Sequence, residues 1–124
     1  MKTGLMAVAL AGMLGSGAVM ANDGNALLND CQQAIRALDN VRRASDSDMD
    51  SGMCFGMMEG VRAMMMYLKD SMSDDYKACF PKGGISNAQA VRIVVKHLSD
   101  NPAILHLDGP QLTVIALHEA FPCK

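Results

Sequence analysis

Two cysteines, each joined to a Phe-Pro pair, bracket the last third of this chain: Cys79-Phe80-Pro81 opens it and Phe121-Pro122-Cys123 closes it. A covalent staple is the strongest restriction a short chain can carry, because it removes unfolded conformations with which the fold otherwise competes. Cys31 and Cys54 raise the total to four cysteines, an even number. Whether they pair depends on the compartment, and the first residues speak to that.

Lys2 supplies a positive start, Leu5 to Leu14 form an apolar run, and Val19-Met20-Ala21 offers small or tolerated residues for cleavage. Asn22-Asp23 then begins polar sequence. This is the pattern of a secretory signal peptide cleaved after about Ala21. The apolar run carries Gly12, Gly15 and Gly17, and it is shorter than the roughly 20 apolar residues of a spanning helix. Residues 1–21 are therefore expected to leave, and residues 22–124 to form a single domain with no membrane attachment. Loss of Lys2 takes the formal charge from -2 to -3. No basic patch or aromatic-basic interleaving advertises nucleic acid.

A short exported domain with four cysteines reads as two disulfides. Four cysteines allow three pairings, and the spacing alone does not choose among them. The close cysteine pairs of a structural zinc site are missing from the pattern Cys31, Cys54, Cys79, Cys123, so no metal and no cofactor are expected. Aromatic bulk is scarce, with two Tyr, three Phe and no Trp, so a core has to come from aliphatic residues and from the 12 Met.

The periodicity predicts an all-α fold, a small disulfide-stapled bundle of about four helices. Leu27, Leu28, Cys31, Ala34, Ile35, Leu38 and Val41 recur at three and four and predict a first helix over 25–43. Ser45-Asp46-Ser47-Asp48 breaks it and offers N-cap chemistry to a second helix over about 49–71. Cys54, Met58, Val61, Met65, Leu68 and Met72 form that helix's core stripe. Pro81 and Gly83-Gly84 make a tight connection in which glycine takes positive φ. Ser86 with Gln89 forms a capping box for a third helix reaching about Ser99, which buries Val91, Val94, Val95 and Leu98. Asn101-Pro102 stops it. Asp108 with Gln111 repeats the box, Leu107 and Leu112 form a hydrophobic staple, and Pro110 fits the first turn of a fourth helix. That helix carries Leu112, Ile115, Ala116 and Phe121.

Two features of the second helix ask for a reason. Gly52, Gly56 and Gly60 repeat every four residues, although each glycine costs a helix roughly 1 kcal/mol relative to alanine. Close approach of another backbone is the expected explanation. Met49, Met53 and Met57 follow the same spacing, and Met64-Met65-Met66 comes after them. Thioethers suit Cu(I), but no histidine is interleaved, and methionine readily fills irregular cores. Core packing is the expected role.

A nucleophile needs a base and an orienting group, and the cysteines are spoken for. No nucleophile elbow, phosphate-cradling loop or zinc-protease helix is present. His97, His106 and His118 share no helical face and show no partner in the sequence. No enzyme is expected.

Cys54-Phe55-Gly56 followed by Gly60-Val61, then Cys79-Phe80-Pro81, Ser86 with Gln89, Val94-Val95 with Leu98, Asn101-Pro102 and Ala116-Leu117 to Ala120-Phe121-Pro122-Cys123 resemble the Rap/Tai-type immunity proteins. The resemblance covers about residues 25 to 123. One departure is Met57, where the family pattern often has an aromatic residue. The resemblance implies a periplasmic inhibitor that binds a cognate cell-wall amidase delivered by type VI secretion, with the chemistry on the partner, and it is compatible with a homodimer. It does not mark the contact surface. Exposure alone points to two polar segments, Ser45, Asp46, Ser47, Asp48 and Asp50, and Ser73, Asp74, Asp75 and Tyr76. A small periplasmic stress chaperone and a methionine-based Cu(I) carrier are the alternatives. In a bundle of alternating helices the ends of the second and fourth lie together. That arrangement favours Cys31–Cys54 and Cys79–Cys123.

Overall fold

The computed structural model describes residues 22–124. The signal-peptide expectation falls on residues 1–21 and so lies outside the described residues. Among those described, four helices and no strand are found: α1 (Gly24–Leu38), α2 (Asp48–Tyr67), α3 (Asn87–Asp100) and α4 (Gly109–Ala120). Short 3-10 turns at Lys69–Ser71 and Pro102–Ile104 follow α2 and α3. The all-α bundle expected from the periodicity is the observed architecture.

Each helix contributes one buried stripe. Leu27, Cys31 and Ala34 come from α1, Cys54, Met58 and Met65 from α2, Val91, Val94 and Leu98 from α3, and Leu112, Ala116 and Leu117 from α4. Helix α1 packs most extensively on α2 and α3, and α4 closes over α3. Full burial of the leucine, valine and methionine side chains among them stabilises by about 1.5–3 kcal/mol each. The cysteines pair as Cys31–Cys54 and Cys79–Cys123, with S–S distances of 2.09 and 2.00 Å.

The helix boundaries show where local chemistry rules. Ser86 caps α3, its Oγ accepting from the Gln89 N–H at 3.1 Å. Gly83 and Gly84 both take positive φ in the loop before it. At α4 the position is as expected but the cap is not, because the Asp108 side chain accepts no helix N–H. Residues 22–25 occupy that end instead: the Gly109 N–H donates to the Asn22 carbonyl at 2.7 Å, and the Gly24 N–H donates to the Leu107 carbonyl at 2.9 Å.

Helix α1 also stops earlier than its apolar pattern suggested, at Leu38 rather than Arg43. Asn40 takes a φ of 55°, and the Val41 N–H reaches back to the Arg36 carbonyl at 2.9 Å. That is a Schellman stop with asparagine in the left-handed position. Val41 consequently stands 59% exposed instead of continuing the stripe.

Candidate functional site

The first polar segment turns out to be mostly engaged in holding the α1–α2 connection. Asp46 receives Arg36 through two hydrogen bonds, Nε at 2.9 Å and Nη2 at 2.6 Å, and a third from the Arg43 N–H at 2.9 Å. These donors favour the ionised form and hold the Asp46 carboxyl far below the usual carboxylate range. Ser47 caps α2 by accepting from the Asp50 N–H at 3.0 Å. Gln33, itself buried, accepts from the Ser47 N–H at 2.7 Å and donates to Asp50 at 2.9 Å. Nearby, burial and the negative charge of Asp50 push Asp30 up. Ser45 and Asp48 remain outward, Asp48 paired with Arg42 at 2.7 Å on a carboxylate that is 90% exposed.

The second polar segment is freer. Ser73, Asp74, Asp75 and Tyr76 are all exposed, and Asp74 pairs with Lys77 at 3.2 Å while its side chain stays 96% exposed. The structure does not bring the two segments together. They flank the 20 residues of α2, a helix about 30 Å long at 1.5 Å per residue.

Between them lies the outer face of α2, which overturns both expectations about that helix. A side chain added at Gly52, Gly56 or Gly60 would meet nothing within 4 Å, so no backbone of this chain packs there. Met49, Met53, Met64 and Met66 are 45–78% exposed rather than in the core, and Met57 is half-buried. Of the α2 methionines, Met58 and Met65 are the two that are fully buried. The expectation failed because α2 is apolar nearly all round, so spacing could not tell the inward stripe from the outward one. Beside this face, a shallow apolar cleft of about 260 Å³ opens between α2 and α4, lined by Gly60, Val61, Met64, Leu68, Met72 and Val114 among others.

The histidines have partners that sequence proximity hid. His97 Nδ1 lies 3.3 Å from a Glu119 carboxylate oxygen, and His118 Nδ1 lies against the Lys77 carbonyl. Neither arrangement places a nucleophile beside a base. Among the described residues no group of three or more His, Cys, Asp or Glu is arranged to hold a metal ion, and no helix is long and apolar enough to cross a membrane.

Among the described residues, then, the doubly stapled helical module presents two polar loops and the methionine-rich outer face of α2. The family model described as Rap1a immunity proteins matches residues 23–123. The chain belongs to that family, and so to a class that binds a toxin partner. No curated protein and no solved structure is matched.

Proposed function

We propose that the protein is a periplasmic immunity protein that binds and inhibits a cognate peptidoglycan amidase delivered by type VI secretion, and that it does so as a homodimer. The observation that carries this reading is the family match over nearly all of the described chain. The signal-like start, Lys2 followed by the apolar run to Leu14, supports export. The two disulfides support an oxidising compartment. They also preorganise the surface, which lowers the ordering cost of binding.

The toxin contact is assigned to the outward residues of the polar segments, Ser45 and Asp48 on one side and Ser73, Asp74, Asp75 and Tyr76 on the other. Asp46, Ser47 and Asp50 set the shape of the first loop from within. Tyr76, 46% exposed, is the natural anchor, since tyrosine is enriched among residues that dominate binding energy.

The test is calorimetric titration of the purified, oxidised protein with the product of the neighbouring reading frame, alongside an amidase assay. Nanomolar binding with loss of activity is expected. Absence of both would remove the toxin assignment. Tyr76→Ala is expected to weaken binding tenfold or more, and unchanged affinity would move the anchor elsewhere.

A further inference from the structure

Charge is unevenly matched over this molecule. Among the described residues Arg36, Arg42, Lys77, Arg92 and Lys96 each pair with a carboxylate. Arg43 lies against Asp46, which accepts from its backbone N–H, and Lys124 ends the chain. Arg62, Lys69 and Lys82 form no ion pair with any described residue. These three border one groove.

Arg62, Met66 and Lys69 follow one another at four and three residues, so they share a face of α2. Opposite them runs the segment 78–84. Between the two lies a groove of about 380 Å³, walled by Met66, Lys69, Phe80, Pro81, Gly83 and Gly84. Lys82 stands on the turn between Pro81 and Gly83 and is exposed, as Lys69 is. The loop wall is fixed before any partner arrives. Cys79 is bridged to Cys123, and Phe80 packs on Phe121 with ring centroids 5.4 Å apart. The Gly84 N–H donates to the Pro81 carbonyl at 2.8 Å and closes the turn.

Arg62 gives the groove its charge. One terminal nitrogen donates to the Ile85 carbonyl and the other to the Asn87 Oδ1 at 2.7 Å, while Nε is buried without an acceptor. Both partners are neutral, so the guanidinium keeps its full positive charge in a partly buried place. A charge drawn out of water without a counter-charge is costly, and an incoming carboxylate offsets part of that cost. Glu59 lines an adjoining hollow of about 150 Å³ with Arg62 and Met66. Neither Glu59 nor Asp70, next to Lys69 in sequence, pairs with a cation.

From this arrangement we infer that the groove between α2 and the 78–84 loop receives an acidic segment of the toxin, its carboxylate at the cationic rim and an adjoining apolar side chain against Phe80 and Met66. The inference rests on the toxin-binding reading above and supplies the chemistry of the partner segment. Charge complementarity selects the occupant. The chain as a whole is net negative, so an acidic segment is repelled over most of the surface and drawn to the place where cations stand unmatched. The groove also continues the chain directly from Ser73–Tyr76, so both contacts fall at one end of α2. A loop wall already stapled in position lowers the ordering cost of binding.

Calorimetric titration of the oxidised protein with the product of the neighbouring reading frame tests this at 0.05 and 0.5 M salt. The wild-type dissociation constant is expected to rise about tenfold or more between the two. Lys69→Glu combined with Lys82→Glu is expected to raise it at least a hundredfold at low salt and to flatten the salt dependence, with circular dichroism unchanged. Arg92→Glu combined with Lys96→Glu makes the same charge change on α3 and is expected to stay within about threefold of wild type. A reversal at 69 and 82 that leaves affinity within threefold overturns the inference, as does an equal loss from the α3 pair. Absence of wild-type binding removes the toxin reading and the groove with it, whereas wild-type binding that survives the reversal removes the groove alone. Sedimentation and flotation with anionic phospholipid vesicles, run on the same variants, identify another occupant. If toxin affinity survives while self-association or vesicle binding is lost, the groove belongs to a second copy or to a membrane, and the inference is overturned.

Discussion

At the scale of single residues, glycine shows how position decides the sign of an effect. A Cβ at Gly24 would lie 2.8 Å from both the Leu105 Cα and its carbonyl oxygen, and 2.6 Å from the Leu112 Cδ1. Backbone cannot give way as a flexible side chain can, so Gly24→Ala is expected to destabilise by on the order of 1–3 kcal/mol, as overpacking does. The same change at Gly52 meets nothing and is expected to stabilise the protein by about 1 kcal/mol through helix propensity. Urea unfolding of the two variants in parallel checks both signs, and a loss of stability at Gly52 would overturn the reading of that position as open. Asp46 gives the pH dependence. Its folded pKa lies below the unfolded value of about 3.9, because Arg36 and the Arg43 N–H hold the ionised form. The stabilisation is therefore fully present above about pH 4 and is lost as pH falls from there. Thermal melts from pH 7 to pH 2 are expected to show Asp46→Asn below wild type at neutral pH and converging with it in acid. Asp30, raised by burial, acts in the opposite sense, contributing stability below the unfolded carboxylate pKa that is lost as pH rises through its folded value.

At the scale of helices, what the sequence made legible depended on how local each signal was. The α3 start was readable because its cap is local: Ser86 Oγ accepts from the N–H of Gln89, three residues on, although the glutamine side chain does not return the bond. The α4 start was placed correctly for only part of the right reason, since the Gly109 N–H is satisfied by the carbonyl of Asn22, far away in sequence. The α1 end carried a readable signal in Asn40, but the apolar Val41 extended the stripe past it and outweighed a single turn residue. Helix α2 was legible as a helix and not as a surface. Both of its faces are apolar, and only the positions of α1, α3 and α4 decide that Met58 and Met65 turn inward while Met53 and Met64 turn out. The polar segment at 45–50 was visible as polar, but its engagement by Arg36 and Gln33 is a tertiary fact that composition could not supply. Arg36→Ala should consequently free this loop: Asp46 loses both side-chain hydrogen bonds, and amide exchange at 43–48 is expected to rise well before global unfolding. Protection there equal to wild type would mean that the Gln33 contacts suffice.

At the scale of the whole molecule the two disulfides do different work, and loop length alone ranks them wrongly. Sequence separations of 23 and 44 residues correspond, in the chain-entropy expression, to about 3.4 and about 4.0 kcal/mol. On that basis Cys79–Cys123 would be the stronger staple by a few tenths of a kcal/mol. Burial reverses the order. Both Cys31 and Cys54 are 0% exposed, at the α1–α2 contact that is among the most extensive in the fold, so replacing them with alanine also leaves a cavity. Cys123 is exposed beyond the end of α4, and its bridge fastens a segment that the Cys79 N–H already ties to the Phe121 carbonyl at 2.8 Å. Exposure also governs access of a reducing thiolate. Stepwise reduction with dithiothreitol, quenched by alkylation and read by peptide mass, is therefore expected to label Cys79 and Cys123 first. That half-reduced species should keep its helical signal, whereas labelling of Cys31 and Cys54 should coincide with its loss. Simultaneous labelling of all four at one reductant concentration would show that the molecule opens as a single unit, and that the exposed staple holds the core as firmly as the buried one does.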